Sequence, residues 1–231
     1  GAEKKVAVVL VAAGRGERAG SASEGPKQYR LIGGRSIIAR TLDALLSHPL
    51  IGHIVVVIHP DDGDLFSQTW TGARNQISIV HGGKTRQAST YQGLLALQEL
   101  SPKYVMIHDA VRPFVDEALI NRILDSLEKG GSVIPAMAIS DTIKQVDSAL
   151  LIEATVPRAH LYGAQTPQAF SYRALLDASL LLSDQGAFEL ADSLLSQALS
   201  LVGGEAAPYE RLAEIKYLTG DLPGAASALN Q

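Results

Sequence analysis

The sequence predicts an α/β protein: a mostly parallel sheet covered by helices, carrying a β-hairpin arm and followed by an all-α C-terminal tail. Three observations carry this expectation. Short β-branched runs alternate with segments of helical apolar period, which implies crossover connections between parallel strands. Two extended runs joined by the turn-like Asp147-Ser148 interrupt that alternation late in the chain. Beyond Ala178 the composition shifts to Leu, Ala, Ser, Gly and Glu, with no strand-like run.

Taken in order, the expected strands are Lys5 to Ala12, His53 to His59, Ile77 to His81, Tyr104 to His108 and Ser132 to Ala138. The expected helices are Ser36 to Ser47, Arg86 to Leu100 and Asp116 to Lys129. Their apolar spacing is amphipathic, as in Ile37, Ile38, Leu42, Leu45 and Leu46. The hairpin strands Thr142 to Val146 and Leu151 to Val156 form an arm over about residues 139–159. Residues 1–178 then make one α/β domain and 179–231 a helical tail. In that tail Gly186, Ala191, Leu195 and Gln197 recur 34 residues later as Gly220, Ala225, Leu229 and Gln231, the period of a tetratricopeptide helix pair. Such arrays need roughly three repeats for independent stability, so a tail this short is expected to dock on the main domain or on a protein partner. Ordinary Ala/Leu-rich helices are the alternative.

Composition narrows the function. With 46% hydrophobic and 19% charged residues in 231, the chain can bury a full core. A net charge of −4, with 20 basic residues spread along the sequence, argues against a nucleic-acid or anionic-membrane surface and for small-molecule partners. The absence of cysteine excludes disulfides and thiolate metal sites, and the six histidines do not fall at zinc-ligand spacing, so any metal should be a hard ion held by oxygens. The apolar run from Val6 to Ala13 is too short to span a bilayer and lacks a small-residue cleavage site after it, which leads us to expect a cytoplasmic chain.

Ligands of such sheets bind at the carboxyl ends of strands, where Gly14, Gly82 and Asp109 all fall. The first motif there is Leu10-Val-Ala12-Ala13-Gly14-Arg-Gly16-Glu-Arg18, followed by Pro26-Lys27-Gln28-Tyr29. Small residues let backbone amides meet phosphate oxygens, and Arg18 and Lys27 place cations over a triphosphate. Two look-alikes fail. Gly14 to Ala19 fits a dinucleotide fingerprint, but a breaker-rich loop follows where a helix should carry the pyrophosphate; Gly83-Lys84-Thr85 lacks the earlier glycine of a P-loop, which is Ser78. The second motif, His81-Gly82-Gly83-Lys84-Thr85-Arg86-Gln87-Ala88-Ser89, puts Arg86 and Ser89 on one helix face behind a glycine turn. In the third, His108-Asp109-Ala110-Val111-Arg112-Pro113, Asp109 can hold Mg²⁺ on triphosphate oxygens or accept a ribose hydroxyl, while His108 reads as a packed core residue. The fourth surrounds the hairpin: Ser140-Asp141-Thr142, Thr155-Val-Pro-Arg158 and Gln165-Thr166-Pro167-Gln168, which with Arg112 suggest a second anion site.

These ordered motifs resemble the 2-C-methyl-D-erythritol 4-phosphate cytidylyltransferases over about Val6 to Ala178. The resemblance implies a Rossmann-like sheet, Mg²⁺-dependent use of CTP, a phosphorylated polyol as acceptor, and a homodimer formed by exchanging the arm. It makes Arg18 and Lys27 the transition-state stabilisers, and assigns Ala12, Ala13, Gly14, Gly16, Gly82, Arg86, Ser89 and Asp109 to CTP and its metal. Thr142, Arg158 and Thr166 would hold the acceptor, with Arg112 acting across the dimer. The family's acidic helix start and late Lys-x-Thr segment have no counterpart after Ala178, where Lys216 is the only lysine. Two other readings follow: a nucleotide-fold scaffold whose tail binds a partner protein, and a related nucleotidyltransferase using another acceptor such as ribitol 5-phosphate.

Overall fold

The computed structural model describes residues 6–15, 25–130 and 132–184. Gly16 and Arg18, and the repeat-like tail from residue 185 onward, lie outside the described residues. The chain runs β1 (Val6–Ala12), β2 (Leu31–Ile32), β3 (Arg35–Ser36), α1 (Ile37–Leu46), β4 (Ile51–Ile58), α2 (Gly63–Thr69), β5 (Ile77–His81), α3 (Arg86–Leu95) and β6 (Tyr104–Asp109). It continues with α4 (Glu117–Gly130), β7 (Ser132–Val133), β8 (Ala136–Ala138), β9 (Ile143–Val146), β10 (Ile152–Val156), β11 (Tyr162–Ala164), β12 (Gln168–Ser171) and α5 (Tyr172–Asp184).

Among the described residues the central sheet has six strands in the order β5-β4-β1-β6-β12-β7. The first four are parallel, and β12 runs antiparallel to both β6 and β7. The run Val6–Ala12 is almost wholly buried because both of its faces are covered. Alternation along β1 and β4 sorts their side chains into two cores. Val8, Leu10, Ile54 and Val56 pack with Ile38, Leu42 and Leu45 of α1 and with Ile120, Ile123 and Leu127 of α4. Ala7, Val9, Val55 and Val57 pack on the other face with Leu94 of α3 and with Tyr172, Leu175 and Leu176 of α5. The result is three layers, helix on sheet on helix. α1 begins where Ser36 caps it, its side chain accepting from the Ala39 N–H at 3.3 Å. α3 approaches the sheet closely at Gly93: a Cβ there would lie 2.4 Å from Val9 Cγ1.

Several expectations are corrected. The strand expected over Ser132 to Ala138 divides at Ile134-Pro135; β7 joins the central sheet, while β8 pairs antiparallel with β11 in a separate one. Proline has no N–H for a ladder, and the change of sheet occurs there. The helix expected to reach Leu100 ends at Leu95 and continues as turns. The helix α5 runs across the boundary expected at Ala178, and Leu175, Leu176 and Ala178 are buried. The hairpin forms as β9 and β10, paired antiparallel as a sheet of its own. Its turn is braced by Asp147, whose Oδ1 accepts the N–H groups of Ala149 and Leu151, each at 2.9 Å.

Candidate active site

The carboxyl ends of β1, β5 and β6 converge on a cleft of about 320 Å³ lined by Ala12, Ala13, Gly14, Lys27, Gln28, Gly83 to Arg86, Ser89, Asp109 and Val111. It carries three cations, Lys27, Lys84 and Arg86, against the single carboxylate of Asp109, in a chain whose net charge is −4. Such a local excess of positive charge in a concave site favours polyanions.

Close packing of backbone makes the cleft. A Cβ on Gly82 would stand 2.6 Å from Ala13 Cβ and 2.6 Å from Ser89 Oγ, so the β5–α3 turn reaches the end of β1 only because residue 82 has no side chain. Ser89, expected as a ligand contact, is 2% exposed. Its hydroxyl donates to the Thr85 carbonyl at 2.9 Å and accepts from the Gly83 N–H at 3.2 Å, holding the glycine turn in shape. Thr85 caps α3 by accepting from the Ala88 N–H at 3.0 Å. The N-terminus of α3, the positive end of its dipole, therefore opens on the cleft.

Geometry also sorts the cations of the first motif. Arg15 turns away to the β4–α2 connection, where Nη1 donates to Asp62 Oδ1 at 2.8 Å and Nη2 to His59 Nδ1 at 2.6 Å. Lys27 lies in a 3-10 turn, Lys27–Tyr29, and lines the cleft exposed.

Asp109 receives Arg86 Nη2 on Oδ1 at 3.0 Å and Arg112 Nε on Oδ2 at 3.1 Å. Burial alone would raise its carboxyl, but the Arg86 and Arg112 guanidiniums outweigh that and hold it below the usual range. His108 is fully buried, and burial pushes its imidazole down to about 4, so it is neutral. Its Nε2 faces the Arg112 carbonyl at 3.0 Å, which only accepts, and so must carry the proton. Nδ1 then accepts from the Thr166 hydroxyl at 2.8 Å, and Thr166 Oγ1 accepts from the Asp109 N–H at 3.2 Å. Thr166, expected to hold an acceptor, thus directs its hydroxyl proton inward. Arg112 Nη1 donates to Gln165 Oε1 as well. From α1, the buried Thr41 hydroxyl lies 2.8 Å from the Ala110 carbonyl and 3.0 Å from that of Ile37, tying the loop after β6 to the helix.

Among the described residues no group of three or more His, Cys, Asp or Glu comes together as an all-protein metal cage. The one carboxylate of the cleft, Asp109, with no imidazole or thiol beside it in the lining, is a donor that suits a hard divalent cation.

A second hollow, of about 740 Å³, adjoins on the far side of Arg112 and is walled by Val111, Phe114, Val115, Met137, Gln165 and Thr166. Arg158 and Thr142 line neither cavity. Arg158 Nη1 donates to the Ser140 carbonyl at the base of the arm, and Lys144 Nζ to Thr155 Oγ1 at 2.6 Å across it.

The family model for 2-C-methyl-D-erythritol 4-phosphate cytidylyltransferase, IspD, matches residues 6–207, which include every described residue of the cleft. The chain belongs to the IspD family. It is 55% identical over 174 residues to the bifunctional enzyme IspD/IspF of Brucella anthropi, covering 75% of this chain and 43% of that protein. Identity to the bifunctional enzyme IspD/IspF of Sinorhizobium medicae is 47% over 188 residues, 80% of this chain and 46% of the relative. The chain thus spans less than half the length of these relatives. Among solved structures, the 4-diphosphocytidyl-2C-methyl-D-erythritol synthase of Anaerococcus prevotii superposes with a TM-score of 0.67 at 28% identity, covering 83% of this chain and 82% of that one. The Francisella tularensis IspD structure does so with a TM-score of 0.66 at 26% identity, covering 80% and 86%. The IspD family shares the mixed α/β architecture with its mostly parallel sheet, as the sequence predicts.

Sequence reasoning overlooked Lys84, Thr85 and Gln28 as parts of the cleft. Lys84 was visible as the cation after a glycine pair, but Gln28 contacts residues whose proximity only the fold creates.

Proposed function

We propose that the chain transfers the cytidylyl group of CTP to 2-C-methyl-D-erythritol 4-phosphate and releases pyrophosphate. The observation that carries this is the cleft itself: glycine turn, helix N-terminus and three cations at one sheet edge, in a member of the IspD family. A phosphate oxygen of the acceptor attacks the α-phosphorus of CTP in line, the bond to the bridging oxygen breaks, and that oxygen leaves with pyrophosphate. The acceptor phosphate is already ionised, so the step needs alignment and charge neutralisation more than a general base.

The amides around Ala12, Ala13, Gly14, Gly16 and Gly82 receive phosphate oxygens and the nucleoside. Lys27, with Arg18, neutralises the charge that grows on the leaving pyrophosphate, and Lys84 and Arg86 extend that field. Ser89 acts by keeping the turn closed. A divalent cation, Mg²⁺ for this oxygen-only donor set, would be held by Asp109 with triphosphate oxygens and supplies further charge neutralisation. Asp109 would exchange its guanidinium partners for that role, and Arg86 and Arg112 would turn to phosphate. Thr142, Arg158 and Thr166 serve the acceptor, Thr166 by placing Asp109 and the Gln165–Arg112 pair.

Thr142 and Arg158 do not line the cleft of their own chain, and the arm exposes Leu150, Leu151 and Ile152 at its tip. Both features support a homodimer in which each arm completes the partner's acceptor site. No helix among the described residues is long and apolar enough to cross a membrane. We place the enzyme in the cytoplasm and divide the chain into an α/β body and a helical tail whose junction lies beyond Ala178, because α5 runs through that residue, with the tail available to a protein partner. The test is calorimetric CTP binding together with pyrophosphate release, with and without the acceptor. Binding followed by acceptor-dependent release is expected; a chain that does not bind CTP refutes the reading.

A further inference from the structure

Gln28 is 3% exposed in the turn that carries Lys27. Its side-chain nitrogen lies 2.7 Å from the Ala12 carbonyl oxygen and 3.2 Å from that of Gly14. Both oxygens only accept, so the amide must face them with its NH₂ group, and its two hydrogens serve one carbonyl on each side of Ala13. The turn itself is closed by Tyr29 N–H to Pro26 O at 3.0 Å and Arg30 N–H to Lys27 O at 3.1 Å. One buried amide therefore ties the lysine-bearing turn to the glycine-rich end of β1.

We propose that Gln28 is a positioning residue for nucleotidyl transfer: it orients the phosphate-binding peptides at the end of β1 and fixes the reach of Lys27 over them. In a trans peptide the C=O and the following N–H point to opposite sides. Drawing the Ala12 and Gly14 oxygens toward Gln28 turns the N–H groups of Ala13 and Arg15 away from it, as donors for phosphate oxygens. The brace must be a neutral double donor. A carboxylate of the same size has no proton to give and would face two carbonyl oxygens, while a thioether of similar length fills the space and donates nothing. The proposal rests on reading the cleft as the CTP site.

The test compares Gln28→Met and Gln28→Glu with wild type, by calorimetric CTP binding and by kcat and KM for transfer from pH 8 to pH 6. Each is measured at a temperature where the variant's circular dichroism matches wild type. Loss of two neutral hydrogen bonds should weaken CTP binding about tenfold in both variants at pH 8, with kcat falling by at least about as much. Burial raises the pKa of the introduced carboxyl, and once protonated it regains one donor, so the Gln28→Glu deficit relative to wild type should shrink as the pH falls. The Gln28→Met deficit should not. Wild-type binding and kcat in Gln28→Met would overturn the proposal, as would a Gln28→Glu deficit that parallels the Met variant at every pH. A variant that fails to fold at any temperature would show Gln28 to be a structural residue and count against it. A wild-type chain that does not bind CTP would overturn the functional reading beneath it.

Discussion

Lys27 and Arg15 stand in the same stretch of sequence and carry the same charge, yet the fold gives them opposite tasks. Arg15 is held by Asp62 and His59 outside the cleft, whereas Lys27 faces into it. In the proposed mechanism Lys27 acts mainly as charge builds on the leaving pyrophosphate, so Lys27→Ala should lower kcat about 10²- to 10³-fold with the fold intact. Steady-state kinetics on the variant checks this, and unchanged turnover would contradict it. His108 supplies a pH signature. The unfolded chain takes up this proton near 6.5 and the folded chain only near 4, because the imidazole is buried between Thr166 and the Arg112 carbonyl. Stability from this residue is therefore full above about pH 6.5 and declines as pH drops toward 4, by about 3 kcal/mol in all. Urea denaturation against pH should show that decline, and His108→Gln, which can both donate and accept here without titrating, should flatten it. A variant with the wild-type slope would place the titration elsewhere.

The central parallel strands and the three helices that cross between them were legible from periodicity alone. β1, β4 and β6 are apolar runs largely buried on both faces, β5 is a β-branched run at the sheet's edge, and α1 and α4 show one apolar stripe each. Shorter pieces were not. β12 is four residues whose strand character comes from lying between β6 and β7, and α2 is seven residues beginning at a glycine, held in place by Phe66 in the core. The site was legible in part: Gly14, Gly82 and Asp109 are marked by residue type at strand ends, Lys27 and Arg86 as cations in the motifs beside them, and the fold brings the five together. The inward commitment of Ser89 and Thr166, and the brace at Gln28, depend on distances between segments that no local pattern encodes. Gly93 shows packing overriding propensity. Alanine in mid-helix gains about 1 kcal/mol over glycine, but its Cβ would stand 2.4 Å from Val9 Cγ1, and overpacking costs about 1–3 kcal/mol. Gly93→Ala should lower the melting temperature, and adding Val9→Ala should recover part of the loss beyond additivity. A stabilised single variant would contradict the packing argument.

At the scale of the whole molecule, every described residue of the proposed CTP cleft comes from one chain, while the arm carries Thr142 and Arg158 elsewhere and exposes a strip of apolar residues. Phe114 and Met137, at 85% and 66% exposure beside the second hollow, offer an apolar surface of the same kind. The dimer reading predicts that Leu151→Asp with Ile152→Asp yields a monomer by analytical ultracentrifugation, keeps CTP binding and loses transfer. A wild-type monomer with full turnover would refute it. The central claim is that this cleft performs cytidylyl transfer, and mass spectrometry of a reaction containing the chain, CTP, Mg²⁺ and 2-C-methyl-D-erythritol 4-phosphate tests it most directly. The account predicts the cytidine-diphosphate-linked acceptor, formed mole for mole with pyrophosphate and absent when the acceptor is withheld. Bound CTP with no such product, at concentrations where the chain is dimeric, would contradict it.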